Sequence, residues 1–156
     1  MAQRILESNG SFGPPELGYL ILGAGAEWYA KWYPGEPPKR GYKIHVSAQI
    51  ADAEEVARSV LWQLRHLRVH HKVVRDLGRY ERLLDGEQRG KFITIYLPDV
   101  ARRDDVVVAI DPELGWLGLR PGPHPTAPMS GRRVPEEPLG QSGLLFGRAY
   151  DESSPD

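Results

Sequence analysis

The sequence predicts an α+β domain with an α/β-like centre, in which helices flank a small mixed sheet. Three observations favour this class. The chain has 156 residues and is 40% apolar, which suits one domain with its own core. Apolar residues recur at regular spacing only between residues 41 and 110. The 17 Gly and 14 Pro concentrate in residues 9–41 and 118–143, which predicts turns and extended connections on both sides of that centre.

The centre opens with a strand followed by a helix. Residues Tyr42–Ser47 alternate with period two, so their apolar side chains share one face and their polar side chains the other. Asp52 and Glu55 have the spacing of a capping box in which Asp replaces Ser or Thr, which predicts the start of a helix. The apolar stripe of this helix consists of Val56, Val60, Leu64 and Leu67.

Two further strands and two further helices are predicted after it. A strand over His71–Arg75 follows the first helix, and we expect it to run parallel to and pair with the first strand, because a helix joins them. Residues Asp76–Leu84 have the spacing of a short helix, and the β-branched and aromatic run Lys91–Leu97 predicts a third strand. Asp99 is a candidate cap for a last helix through Val108, although the three valines that end this segment also suit a strand.

Composition excludes several classes of function. Lys and Arg total 20 and Asp and Glu total 21, so the net charge of -1 argues against nucleic-acid and membrane-surface binders. No apolar run approaches the ~20 residues that span a bilayer, and the first residues lack a secretory h-region, so we expect a cytoplasmic protein. The chain has no Cys, which excludes disulfides and thiolate chemistry. His66, His70 and His71 lack a carboxylate to complete a ligand set, so we expect no metal site.

The strongest chemical signal is the pattern Lys43-Ile44-His45. Period-two geometry places the amine and the imidazole on one face of one strand, about 7 Å apart. Lys72 lies near the start of the strand that we expect to pair with it. The pattern alone also fits a solubilising surface. A dense aromatic run, Trp28, Tyr29, Trp32 and Tyr33, fits either packing under the sheet or a groove for a peptide.

Four blocks of sequence follow one another in a recognisable order. They are GYKIHVSA (41–48), HKVVRD (71–76), GKFITIY (90–96) and, near the end, Arg132-Arg133 with FGRAY (146–150). Together they resemble the lyase domain of class III and class IV lanthipeptide synthetases, which is similar in turn to the phosphothreonine lyases injected by bacterial pathogens. The resemblance covers residues 28–150, leaves residues 1–27 as an N-terminal extension and 151–156 as a disordered tail, and implies a phosphothreonine-lyase-like fold.

The resemblance implies a lyase of lanthipeptide-type biosynthesis. It eliminates phosphate from phosphoserine or phosphothreonine of a ribosomally made precursor peptide and leaves dehydroalanine or dehydrobutyrine. By family position Lys72 is the general base and His45 the general acid, and Tyr96 contacts the substrate. The implied phosphate-binding residues are Lys43, Lys91, Arg132, Arg133 and Arg148. No metal or organic cofactor is required, and a separate Ser/Thr kinase and a cyclase are the expected partners.

The sequence also departs from the family pattern. Residues 121–131 are rich in proline and no Asp precedes Arg132, so which arginine binds phosphate stays open. Simple alternation places Lys91 and Tyr96 on opposite faces of their strand. The chain stops where a synthetase continues into kinase and cyclase domains, and its start at Met1 favours a stand-alone lyase over an excised domain. Two alternatives remain: an effector-like phosphothreonine lyase acting on a protein kinase, and a non-catalytic phosphopeptide-binding partner of a separate kinase.

Overall fold

The protein is described by a computed structural model that covers residue 12 and residues 17–152. Its strands are β1 (Leu20–Leu22), β2 (Trp28–Lys31), β3 (Arg40–Val46), β4 (His70–Val74), β5 (Ile93–Leu97), β6 (Thr126–Met129), β7 (Arg132–Pro135), β8 (Glu137–Leu139) and β9 (Leu145–Asp151). Its helices are α1 (Ala53–Leu67), α2 (Leu77–Leu83) and α3 (Val100–Trp116), and a short 3-10 turn, Ile50–Asp52, precedes α1.

Seven of these strands form one sheet in the order β1-β2-β4-β5-β3-β9-β8, and β6 pairs with β7 in a separate ribbon. Neighbouring strands of the sheet are antiparallel. Helices and strands contribute similar shares of the described chain. The predicted α+β class is therefore confirmed.

The expected pairing of the first two central strands is wrong. Strands β3 and β4 do run in the same direction, but β5 lies between them and is antiparallel to both. All five residues of β5 are buried, with Ile93 and Ile95 on one face and Thr94 and Tyr96 on the other. A strand that is apolar or aromatic on both faces loses most contact with water at the centre of a sheet, which explains why β5 takes that position.

One face of the sheet forms the hydrophobic core with the helices. Ile44 and Val46 of β3, Val73 of β4 and Ile95 of β5 belong to one buried apolar cluster. The helices α1 and α3 pack on each other and complete this cluster through Val56, Val60, Leu64, Val106, Ile110 and Leu114. The opposite face of the sheet carries Lys43 and His45, and we call it the polar face.

The two predicted helix caps have different outcomes. Asp99 accepts a hydrogen bond from the Arg102 N–H at 2.9 Å, and the helix that it starts is α3, which continues beyond Val108 to Trp116. The capping box at Asp52 is wrong: its carboxylate makes no capping hydrogen bond and instead accepts bonds from Arg120 N at 2.8 Å and Nε at 3.0 Å. Asp52 belongs to the 3-10 turn, so its helical backbone points the carboxylate away from the first turn of α1.

The described residues also include parts of the predicted extension and tail. Strand β1 lies within residues 1–27 and pairs with β2 at the edge of the sheet. Asp151 is the last residue of β9, and Glu152 forms an ion pair with Lys43, so ordered contacts continue into the predicted tail. Residues 1–11, 13–16 and 153–156 lie outside the described residues.

Candidate active site

The register of four adjacent strands arranges side chains on the polar face in two rows. The first row, from β4 through β5 and β3 to β9, consists of Lys72, Thr94, His45 and Phe146. The second row, in the same order of strands, consists of His70, Tyr96, Lys43 and Arg148. Residues directly opposite one another in an antiparallel pair share a face of the sheet. The polar face therefore carries the amine, imidazole and second amine that the sequence singled out.

The register of the strands sets the distances between the predicted catalytic groups. Lys72 and His45 are separated by one strand, so their backbones lie roughly 10 Å apart. Lys43 is two residues from His45 on the same strand, about 7 Å away. Long lysine side chains can close these gaps around one small anion. Lys72 and His45 still share a face although β5 separates their strands, because both residues lie opposite Thr94 of β5.

Lys72 has the electrostatic surroundings of an amine that deprotonates readily. Its side chain is largely buried, and its Nζ lies 4.3 Å from the centre of a Trp28 ring. Burial, helped by the positive charge of Lys43, lowers the pKa of Lys72 to about 8, while the negative charge of Glu152 opposes the shift. A fraction of Lys72 is therefore the uncharged amine close to neutral pH.

His45 contacts a buried carboxylate. Its Nδ1 lies 2.6 Å from Oε1 of Glu136, and both side chains are almost completely excluded from solvent. Burial lowers the pKa of His45 to about 4, against the opposing effect of Glu136. Burial by itself would raise the pKa of Glu136, but the His45 contact and the charges of Lys91 and Arg148 lower it. We therefore describe the pair as a neutral imidazole that donates its Nδ1–H to a carboxylate.

Glu136 is a functional candidate that the sequence pattern did not reveal. Besides His45, it approaches Arg148, whose Nε lies 3.5 Å from the Glu136 Oε2. Neither of these two atoms has a hydrogen-bond partner within the described residues. The neighbouring Glu137 is exposed and accepts a hydrogen bond from Tyr42. No local signal distinguishes these consecutive glutamates, because only the pairing of β8 with β9 decides which one enters the site.

Lys91 and Tyr96 both reach the polar face, although simple alternation separates them. Phe92 and Ile93 are both part of the apolar core, so the alternation breaks just before β5 begins. Lys91 is buried near the charges of Glu136 and Arg148, and burial lowers its pKa to about 8. Burial raises the pKa of Tyr96, so its phenol stays protonated.

Lys43 lies between two aromatic rings. Its Nζ is 5.4 Å from the ring centre of Tyr96 and 4.9 Å from that of Tyr150. It also lies 3.4 Å from the exposed carboxylate of Glu152. Burial lowers the pKa of Lys43. The rings hold the stem of Lys43 in place, while its weak surface ion pair leaves the amine available to another anion.

The three candidate arginines occupy different surroundings. Arg148 lies in the second row of the polar face, opposite Lys43. Arg133 donates from NH2 to the carbonyls of Thr126 at 2.8 Å and Glu87 at 3.0 Å, and its charge still influences Lys91. Arg132 is exposed on the β6–β7 ribbon, and the structure does not bring it to the polar face. Alternation along β7 turns these consecutive arginines to opposite sides.

The aromatic run from Trp28 to Tyr33 divides between the two faces of the sheet. Tyr29 belongs to the core. Trp28 covers Lys72, and Trp32 makes edge contacts with Tyr96 at 5.8 Å and with His70 at 6.0 Å between ring centres. Residues of this run thus pack on both faces of the sheet.

Neither a metal cluster nor a membrane-spanning helix occurs among the described residues. Within residues 17–152 and at residue 12, no three His, Asp or Glu side chains are grouped as metal ligands. The three histidines near the end of α1 have separate contacts: His66 stacks on Trp62, His70 accepts the Tyr33 N–H, and His71 bonds to Tyr19. Among the helices described, none combines the length and apolar character needed to cross a bilayer.

Comparison with protein families identifies the central part of this chain. Residues 23–124 match the model of the RamC N-terminal domain, and this match covers more than half of the 156 residues. The chain belongs to the RamC N-terminal domain family. RamC is a lanthipeptide-related family, so membership indicates a lanthipeptide-associated role. No curated protein matches the chain. The RamC match contains Lys43, His45 and Lys72, whereas Glu136 and Arg148 lie beyond its end.

Proposed function

We propose that the chain is a phospho-Ser/Thr lyase that acts on a ribosomally made precursor peptide. It eliminates phosphate and leaves dehydroalanine or dehydrobutyrine within the peptide. The observation that carries the proposal is the meeting, on one face of the sheet, of Lys72, Lys43 and Arg148 with the His45–Glu136 pair. The lanthipeptide-associated role of the family supports the choice of substrate.

The first chemical requirement is removal of the Cα proton of the phosphorylated residue. Lys72 Nζ takes this proton, and its pKa of about 8 supports that role because the free amine is available near neutral pH. The electron pair of the broken C–H bond forms the Cα=Cβ double bond, and the Cβ–O bond breaks. Lys72 is left as an ammonium ion, which returns its proton to solvent between turnovers.

The second requirement is stabilisation of the leaving phosphate. A phosphorylated side chain carries about -1.5 to -2 charges at neutral pH. Lys43, Lys91 and Arg148 supply positive charge close to the proposed base, and the guanidinium fork of Arg148 suits two phosphate oxygens. The Nε of Arg148 lies 3.5 Å from the Glu136 carboxylate but has no hydrogen-bond partner within the described residues, so it is an additional donor for that role.

The third requirement is a proton for the bridging oxygen of the phosphate. His45 is neutral in the empty site, but a nearby phosphate dianion raises the pKa of the imidazole. Glu136 acts in the same direction, because its carboxylate stabilises the imidazolium through Nδ1. The proton then passes from His45 Nε2 to the leaving oxygen, and the ring returns to its neutral state.

The proposed elimination requires one reaction before it and another after it. A separate Ser/Thr kinase must supply the phosphorylated precursor, and a cyclase must consume the dehydrated product. The elimination needs no metal or organic cofactor, because the side chains of the polar face provide the base, the acid and the phosphate contacts.

The test is incubation with a phosphoserine peptide, followed by mass spectrometry. We expect loss of one phosphoric acid from the peptide, and we expect Lys72→Ala and His45→Ala each to suppress it by about a hundredfold or more. Lys39→Ala is the matched control, because Lys39 is exposed, precedes β3 and is not one of the proposed site residues. An intact phosphopeptide, with folded protein and a kinase-treated precursor as substrate, would contradict the proposal.

One observation favours a second candidate, a phosphopeptide-binding module without turnover. Burial holds the pKa of His45 near 4, so the empty site offers no imidazolium as proton donor at neutral pH. The same incubation separates the candidates. A binding module retains the phosphopeptide with micromolar affinity and leaves its mass unchanged, and a lyase changes the mass.

A further inference from the structure

A second group of positive charges lies where β2 ends and β4 begins, on the helix side of the sheet. Lys31 ends β2, Arg65 lies in the last turn of α1, and Arg68 directly follows that helix. They gather around Tyr33, whose ring centre is 5.2 Å from the Arg68 guanidinium and 5.3 Å from Lys31 Nζ. We call Lys31, Arg65 and Arg68 the edge cluster.

The edge cluster lacks carboxylate partners within the described residues. Lys31 Nζ donates to the Leu17 carbonyl at 2.6 Å, and Arg65 donates to the Tyr19 hydroxyl at 3.0 Å. Seven other arginines within the described residues form ion pairs with acids: Arg58–Glu55, Arg79–Asp76, Arg102–Asp105, Arg103–Asp104, Arg120–Asp52, Arg133–Glu87 and Arg148–Glu136. The cluster is therefore a local excess of positive charge on a chain whose net charge is -1.

The three cations are also close enough to influence one another. Burial lowers the pKa of Lys31, and the positive charges of Arg65 and Arg68 lower it further. Mutual repulsion of this kind is relieved by a bound anion. Within the described residues these three cations have no acidic partner, so together they are complementary to a negatively charged ligand.

The edge cluster and the polar face lie on opposite sides of the sheet and meet around one end of β2 and β4. Lys31 is opposite His71 in the strand pairing, and the Tyr33 ring stacks on the His71 ring, so the cluster lies on the helix side.

The contacts around this strand end are continuous. The Tyr33 backbone N–H donates to His70 Nδ1 at 3.0 Å, and the His70 ring, in the second row of the polar face, contacts Trp32, which in turn contacts Tyr96. A peptide whose phosphorylated residue lies at Lys72 can therefore pass over Trp32 and His70, turn around the end of the two strands and reach the edge cluster.

We propose that the edge cluster is an exosite that binds carboxylate side chains of the substrate peptide. In extended backbone, the acidic residues lie about four to six positions from the phosphorylated residue. The amphipathic Trp32 ring packs under the connecting backbone. The inference rests on the proposed function for the position of the phosphorylated residue, and it adds a class of substrate: peptides with acidic residues at that spacing.

The test compares fluorescent phosphoserine peptides that differ only at the acidic positions. Two carry Glu four to six residues before or after the phosphoserine, and their partners carry Gln. Binding is measured by anisotropy in the Lys72→Ala background, so that no peptide is consumed. We expect one Glu peptide to bind about five- to tenfold more tightly than its Gln partner, and to lose this preference as salt rises.

Arg68→Glu provides the matched substitution, because Arg68 is exposed and its guanidinium stacks on the Tyr33 ring. We expect this change to abolish the preference for Glu. Arg102→Glu is the control: it makes the same charge change at an exposed arginine of α3 and should keep the preference. Lys31→Gln should weaken the preference without reversing the charge of the cluster.

The outcomes separate the two proposals. Equal affinities for the Glu and Gln peptides overturn the exosite, as does an equal effect of Arg68→Glu and Arg102→Glu. Arg68-dependent binding of anionic vesicles or RNA without any preference for Glu peptides also overturns it. Because binding requires no turnover, a retained preference for Glu in a protein that performs no elimination rejects the lyase and leaves the exosite standing.

Discussion

At the scale of single residues, the contact between His45 and Glu136 matters most for the proposed chemistry. Burial favours a neutral imidazole, whereas the carboxylate at 2.6 Å favours the imidazolium. Burial has the larger effect, so the ring is neutral, and in the proposed reaction the substrate phosphate shifts the balance toward the charged ring. In that proposal Glu136 is a positioning residue that fixes the orientation of His45 and assists its protonation.

Glu136→Gln tests this role through the pH profile. Loss of the negative charge lowers the pKa of His45 in the substrate complex, so a larger part of the protein lacks the proton that His45 donates in the proposed reaction. We expect kcat to fall by about tenfold to a hundredfold, with its alkaline limb moved to lower pH. Glu137→Gln is the matched control at the exposed neighbour. A lower kcat with an unchanged profile would indicate a purely structural role.

The pKa of Lys72 provides a second test at this scale. With a pKa of about 8, kcat/KM should rise with pH as Lys72 loses its proton. Lys43→Gln removes a positive charge that helps to lower this pKa, so the rising limb should move to higher pH. Measurement of kcat/KM between about pH 6 and about pH 10 determines the shift. A limb that stays in place in Lys43→Gln would argue against Lys72 as the base.

At the scale of elements, the pairing of β9 with β3 selects one arginine. Arg148 lies opposite Lys43 in that ladder, whereas Arg132 belongs to the β6–β7 ribbon. The separation explains how two arginines near the end of the chain acquire different environments. It also predicts that substitutions of the two arginines will differ in their effect on KM for a phosphopeptide.

We expect Arg148→Gln to raise KM for a phosphopeptide by more than about tenfold, because a charged hydrogen-bond donor to phosphate is lost. Arg132→Gln should leave KM within about twofold, as is usual for an exposed side chain. Steady-state kinetics on the two variants, with circular dichroism to verify folding, provide the comparison. A larger effect at Arg132 than at Arg148 would reverse the assignment.

At the scale of the whole molecule, a buried histidine makes stability depend on pH. His71 lies on the helix side of the sheet, where its Nε2 is 2.8 Å from the Tyr19 hydroxyl and its Nδ1 is 2.9 Å from the Val69 carbonyl. Burial lowers the pKa of His71 to about 3. In the unfolded chain His71 has its ordinary pKa of 6.5, so below that pH the unfolded chain binds a proton that the folded chain does not bind. The free energy of unfolding therefore falls as pH drops below 6.5.

His71 and His45 should together make the free energy of unfolding fall by up to about 2.7 kcal/mol per pH unit between about pH 6 and about pH 4.5. Urea titrations at several pH values measure this slope. His71→Gln keeps hydrogen-bonding groups but removes one proton, so its slope should be smaller by about 1.4 kcal/mol per pH unit. An unchanged slope in His71→Gln would show that this histidine is protonated in the folded state.

Several local features of this protein follow from its amino-acid order alone. Period-two alternation predicts Lys43 and His45 on one face of β3, and the cap at Asp99 predicts the start of α3. These features depend on residues close together in the chain, whose geometry follows from backbone repeats. The order of blocks around Lys72 likewise indicates a lanthipeptide-related family without any knowledge of how the strands pair.

Which distant groups meet depends instead on the assembled sheet. Strand β5 lies between β3 and β4, Glu136 reaches His45 across 91 residues of sequence, and Lys91 reaches the polar face. Contacts of this kind have no local signature, because a glutamate or lysine looks the same in sequence whether the packing of remote strands buries it or leaves it in water. Strand pairing, solvent exclusion and charge fix them only when the whole sheet has formed.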